Sequence, residues 1–207
     1  MQAGCDKYEA GIFAMTKLGI NPGAKLFKIK VTLLGVRPEI WRRLLAPGNI
    51  RLDMLHETIQ CSMGWKDCHL HAFHIKGTVY GDPDNPPAEN FKTERGTKSK
   101  LKFLDLQVGD KFLYVYDFGD DWVHEVLIEE ISEPVPKEIY PRLVGGERNC
   151  PPEDCGGPPG YENLLRILAN PSDPQYNETL EWLGGSFDPE GFDPNAYRFI
   201  PMMLTYS

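Results

Sequence analysis

An α+β fold, one domain built on an antiparallel sheet with flanking helices and a helical C-terminal part, is what this 207-residue sequence predicts. Three observations lead there. Strand-like alternation of apolar and polar residues recurs through the first part of the chain. A single helix-period segment interrupts it, and helical patterns then trail the strands instead of alternating with them, as parallel α/β chains require.

Taken in order, residues 1–24 carry scattered Gly and Pro without a sustained period and read as a loose appended segment; the folded domain spans 25–207. LFKIKVTLL, from Leu26, alternates as a half-buried strand does, and after Gly35-Val36-Arg37-Pro38 the run EIWRRLLAP reads as its antiparallel partner. Leu52, Leu55, Ile59 and Met63 follow a helical period closed by Gly64. HLHAFHI reads as a strand with His69, His71 and Phe73 on one face, residues 81–100 as a surface loop, and LKFLDL as a short strand. KFLYVYDFGDDWVHEVLIEEI has the pattern of a long β-hairpin turning at Gly119-Asp120-Asp121. No period marks 132–160; short helices follow near 160–169 and 174–183, and a last helix is expected from Pro194.

Composition narrows the class. Hydrophobic residues at 41% and charged residues at 25% exclude a largely disordered chain, and no apolar run approaches the roughly 20 residues that span a bilayer. The opening residues lack the basic and apolar regions of a secretion signal, so a cytoplasmic location is expected. Five cysteines, an odd number, then point to reduced thiols rather than a disulfide framework. Basic side chains outnumber acidic ones 16 to 10 over residues 1–102, a net of +6, and trail 6 to 20 over 103–207, a net of −14, which together give −8.

Three segments carry candidate chemistry. In DFGDDWVH, Asp117, Asp120, Asp121 and His124 crowd a hairpin turn, and carboxylates beside an imidazole suit a metal ligand set or a general base. In HLHAFH, His69 and His71 stand two residues apart, about 7 Å along a strand, where two imidazoles can converge on one ion. In GGERNCPPEDCGGPPGY, Cys150, Glu153, Asp154 and Cys155 sit in a loop stiffened by Pro151-Pro152. The aromatic residues, among them Trp41, Trp65, Trp122, Trp182 and Tyr114, read as core, as do Cys61 and Cys68.

Together HLHAF, YVYDFGDDWVH, CPPEDCGGPPGY and FDPEGFD, with IWRRLLAP and LHETIQCSMGW upstream, resemble the plasmid pRiA-type Orf-three-like family, whose members are also labelled insertion-element passenger TnpR-like proteins. The resemblance covers about residues 25–200. It implies an α+β domain found on mobile elements and chromosomes, and it assigns no activity.

The residues themselves support two functional readings. In the first, a divalent zinc, manganese or iron takes nitrogen from His69 or His71 and from His124 and oxygen from Asp117, Asp120 or Glu153, with Cys150 as a further thiol ligand and Glu153 or Asp154 as a base for hydrolase-like chemistry. In the second, the chain is a non-catalytic module with a protein partner in a mobile-element complex, or a nucleic-acid contact through its basic N-terminal half.

Overall fold

The computed structural model describes residues 24–81, 93–94, 101, 104–135, 138 and 140–194. The expectations for residues 1–23, for most of the 81–100 loop and for a helix beyond Pro194 fall outside them.

Eight strands form one sheet: β1 (Leu26–Leu33), β2 (Ile40–Pro47), β3 (His71–Ile75), β4 (Thr78–Gly81), β5 (Thr93–Glu94), β6 (Lys111–Tyr116), β7 (Trp122–Ser132) and β8 (Arg142–Glu147). Their order is β5-β4-β3-β6-β7-β1-β2-β8, antiparallel throughout except where the two-residue β5 lies parallel to β4. Among the described residues three helices accompany it: α1 (Leu52–Met63), α2 (Gly157–Leu168) and α3 (Tyr176–Trp182). The α+β prediction holds.

Alternation separates the two faces of the sheet. Ile29, Val31 and Leu33 of β1, Ile40 and Leu44 of β2, Tyr114 of β6 and Val126 of β7 are buried on the inner face. On the outer face Arg43 donates two hydrogen bonds to Glu129, and Lys30 pairs with Glu39. An antiparallel sheet with one wet face is the arrangement this alternation specifies. Helix α1 lays Leu52, Leu55, Ile59 and Met63 into the same core and ends on Gly64 at φ +85°, a left-handed cap that glycine adopts without steric cost.

Some expectations fail for identifiable reasons. Strands β4 and β8 were not legible. β4 alternates over only four residues, too short a run to stand out, and β8, RLVGGE, is an edge strand with no buried position. The described residues of LKFLDL are not strand: Leu101 donates its N–H to Ile50 O and accepts the Leu104 N–H, and Leu101 and Leu106 are buried. Strand β3 begins at His71, which leaves His69 in the bend before it. Trp182 is 51% exposed and Cys68 is exposed, against the expectation of core; Cys61 is half-buried. The four described cysteines are free thiols.

One inward position is polar by sequence and buried by register. Arg42, wholly buried, donates from Nε to Ser62 O, from Nη1 to Trp41 O and Glu147 O, and from Nη2 to Cys150 Sγ. The planar fork ties β2 to the end of α1 and to the start of the CPPEDC loop. Arg42→Lys keeps the charge but cannot reach this spread of acceptors. It is expected to lower unfolding free energy by about 2–4 kcal/mol in urea denaturation, because buried carbonyls lose their donors.

Candidate functional site

The inner face of β3, β6 and β7 carries two polar rungs. Register places His71 opposite Tyr116 and Tyr116 opposite Trp122; one step along, Phe73 faces Tyr114 and Tyr114 faces His124. The hydroxyls of Tyr114 and Tyr116 therefore enter a buried layer, where they require partners.

Tyr114 is served by α1. Asp67 N–H donates to Gln60 Oε1 (3.1 Å), which orients the amide so that Gln60 Nε2 donates to Tyr114 Oη (2.9 Å). Tyr114 O–H then donates to His56 Nδ1 (2.7 Å), and His56 Nε2–H donates to Asp67 Oδ1 (2.8 Å). This tautomer is assigned from the network: the backbone N–H at Asp67 can only donate, and each later step follows from it. The His56 ring stacks on His71 at 3.5 Å with 7° between planes. Ligand-capable atoms of His56, Asp67 and His71 lie within 4.8 Å of one another.

Tyr116 is served by loops. It donates to Glu153 Oε1 (2.5 Å) and accepts from Cys68 N (3.0 Å), while Lys66 N–H also donates to Glu153 Oε1 (3.2 Å). Trp65 stacks on Tyr116 at 5.1 Å and donates from Nε1 to Pro151 O. The loop after α1 and the CPPEDC loop are thus held to the same rung.

These anchors bring the three sequence segments together. His69 Nε2 lies 3.0 Å from Asp154 Oδ1 and 3.6 Å from Asp117 Oδ2. Although buried and this close, Nε2 makes no hydrogen bond of acceptable angle. Asp117 Oδ1 is occupied by the N–H groups of Gly119 (2.9 Å) and Asp120 (3.3 Å), which leaves Oδ2 for the imidazole side. Asp67, Asp117 and Asp154 all sit at positive φ, +56°, +55° and +60°. Left-handed backbone costs a non-glycine residue of order 1 kcal/mol, and such residues collect where function holds them.

Two glycines make the convergence possible. A Cβ at Gly157, itself at φ +67°, would stand 2.3 Å from Asp120 O, so the start of α2 rests directly on the hairpin turn. A Cβ at Gly160 would stand 1.9 Å from Cys155 O, so the CPPEDC loop folds flat against α2.

The remaining candidates have other surroundings. Asp120 Oδ2 accepts the Gly156 N–H (3.1 Å), joining turn to loop. His124 is wholly buried, donates from Nδ1 to Tyr114 O (3.2 Å) and has Trp65 and Tyr114 as ring neighbours; burial pushes its pKa down to about 4. Cys150 is buried against Arg42 and Met63, its thiol pushed up to about 11 by burial. His71 joins His56 and Asp67 rather than His69. Sequence reasoning missed His56, Gln60 and Asp67. The available signal was that His56 and Gln60 occupy core-facing positions of α1, one turn apart on the stripe of Leu52, Leu55, Ile59 and Met63.

An α+β domain on a largely antiparallel sheet, with a cluster of one histidine and two carboxylates, defines the class. The chain belongs to the family described as plasmid pRiA4b ORF-3-like protein, whose model matches residues 25–196. It is 39% identical over 163 residues to the uncharacterized protein y4hQ of Sinorhizobium fredii, covering 79% of this chain and 83% of that one. It is also similar to the crystal structure of a protein of unknown function, MM3350, from Methanosarcina mazei Go1, with a TM-score of 0.75 and 36% identity over 85% of this chain and 99% of the other. Among the described residues no helix is long and apolar enough to cross a membrane.

Two outcomes test this geometry. Gly157→Ala should lower the thermal midpoint and separate hairpin from loop, seen as loss of the Gly156 amide's protection from hydrogen exchange. For His124 the neutral ring is the folded form and the unfolded chain takes up the proton from about pH 6.5 downward, so its contribution is lost as pH falls toward 4. Glu57, raised to about 7 by burial, acts in the opposite sense over an overlapping window. In a Glu57→Gln background, stability measured by urea denaturation should fall by about 3 kcal/mol between pH 7 and 4, and the His124 ring should titrate near 4 by NMR.

Proposed function

We propose that the chain binds a divalent transition metal through His69 Nε2, Asp117 Oδ2 and Asp154 Oδ1, with open positions for water. One observation carries this reading: the buried His69 Nε2 lies near both carboxylates yet hydrogen-bonds to neither, Asp154 lacking the angles and Asp117 standing beyond hydrogen-bond distance. Separations of 3.0 and 3.6 Å bracket the ~3.3 Å between ligand atoms on a tetrahedron with bonds near 2.0 Å. Ligands around a common ion face its centre, and that leaves their mutual hydrogen-bond angles poor.

One imidazole and two carboxylates form a mixed N/O set that suits zinc, manganese or iron rather than calcium. Two carboxylates neutralise the ion's charge, and Asp154, its side chain 73% exposed, keeps the remaining positions open to solvent. A metal lowers the pKa of bound water, and Glu153, fixed by Tyr116 and Lys66 next in the chain to Asp154, is the base proposed to take the proton. Such a site gives hydrolase-like potential in the cytoplasm. The His56–Asp67 pair is less suited to a metal, because its shared proton already completes a closed hydrogen-bond circuit.

Isothermal titration of EDTA-stripped protein with zinc and with manganese is the direct check. One equivalent should bind to the unsubstituted chain, and His69→Ala or Asp154→Asn should weaken it at least tenfold, whereas Asp67→Asn should leave it intact. Binding unchanged by His69→Ala and Asp154→Asn would sink the assignment.

A further inference from the structure

Helices α2 and α3 face each other across a cleft of about 310 Å³ that opens beside Asp154 and Cys155. On α2 the lining residues are Gly160, Asn163, Leu164 and Ile167; on the other side they are Gln175, Glu178, Thr179 and Trp182. Each set follows the i, i+3, i+4, i+7 spacing of one helix face, the pattern by which helices normally bury apolar residues against each other. Only α2 obeys it, with Leu164 and Ile167 buried. Helix α3 has no buried residue and turns a carboxylate, a hydroxyl and a half-exposed indole toward its neighbour. Two helices so matched in spacing and mismatched in chemistry leave room between them that neither fills.

The charge in that room has one sign. Among the described residues, Asp154 and Glu178 line the cleft and no basic side chain does. The nearest cation on α2, Arg166, is taken up by Asp173 and Asn163. Glu178 and Trp182, four residues apart, present a carboxylate and an indole side by side on α3. An indole face attracts a cation, more strongly where water is partly excluded. The buried Leu164 and Ile167 supply an apolar floor opposite.

We propose that this cleft binds a small organic cation with a flat apolar body, an arylalkyl amine or an aryl amidine, its charge against Glu178 and the Trp182 indole and its body on Leu164 and Ile167. The site stands on α2 and α3 and shares only Asp154 with the proposed metal site, so either reading can fail alone.

The test titrates the full chain with benzamidine, benzyl alcohol and benzoate, following tryptophan fluorescence and heat, in EDTA-treated and zinc-loaded protein. Benzamidine should bind saturably in both forms, benzyl alcohol more weakly and benzoate at least tenfold more weakly. Trp182→Ala and Glu178→Gln, both at exposed positions, should each weaken benzamidine about fivefold while zinc binding stays unchanged. Benzoate binding as well as benzamidine, benzamidine indifferent to both substitutions, or no saturable benzamidine binding would each overturn the proposal. Failure of the unsubstituted chain to bind zinc, with benzamidine binding intact, would overturn the metal assignment and leave the cleft standing.

Discussion

Two tyrosine hydroxyls on the buried face of the sheet set the terms for everything around the pocket. Strand β6 alternates, so Tyr114 and Tyr116 must point the same way as Phe112, into the core. A buried hydroxyl without a partner costs about 1–3 kcal/mol, and no strand can supply one from above the sheet. Tyr114 takes its partners from α1, His56 and Gln60; Tyr116 takes Cys68 N–H from the loop after α1 and Glu153 from the CPPEDC loop. The pairing therefore fixes the rotation of α1 and draws two distant loops to one rung of the sheet. His69 and Asp154 are each within a residue or so of these anchors, and their meeting follows from them.

Anchoring alone would not close the gap between hairpin and loop. Backbone has to touch backbone there, and Gly157 and Gly160 remove the Cβ atoms that would hold Asp120 O and Cys155 O away. The aspartates then accept the opposite penalty: Asp67, Asp117 and Asp154 hold side chains in left-handed backbone. Asp120 explains why so many acidic residues crowd one turn without all serving one purpose. Its carboxylate is spent on the Gly156 N–H, Asp117 Oδ1 on the turn itself, and the oxygens left facing His69 belong to Asp117 and Asp154.

Period and punctuation made most of the fold legible. β1, β2, α1 and the β6–β7 hairpin bury one face each, and burying one face leaves a pattern. β8 buries nothing and β4 is too short, so their pairing depends on neighbours the local sequence does not mention. The site was legible by composition and illegible by geometry. His69 and His71 are two residues apart, which on a continuous strand aims them together. The strand starts only at His71, and the bend sends His69 to the carboxylates while His71 goes to His56. Trp182 misled for a related reason: an indole in a helical stripe reads as core, and only the polar character of the rest of that stripe shows that the face stays open.

The division of charge along the chain takes on a different meaning in three dimensions. Strands β1 and β2 belong to the basic half and β7 to the acidic half, yet β7 lies directly beside β1. Lys28 consequently meets Glu130 and Arg43 meets Glu129 across the wet face of the sheet. Much of the positive excess on β1 and β2 is thereby matched locally, and the face it would have offered to phosphate is a mixed lattice of both signs. Exposed pairs of this kind add little stability, but they do cancel field. Carboxylates come together elsewhere as well: Asp117 and Asp154 both approach His69, and Asp154 shares the α2–α3 cleft with Glu178. Like charges brought together are unfavourable until protons or cations relieve them. The electrostatics of the fold thus leave Lys28 and Arg43 matched on the sheet face, and favour cations where Asp117, Asp154 and Glu178 stand, the proposed metal ion between the loops and the proposed organic cation between the helices.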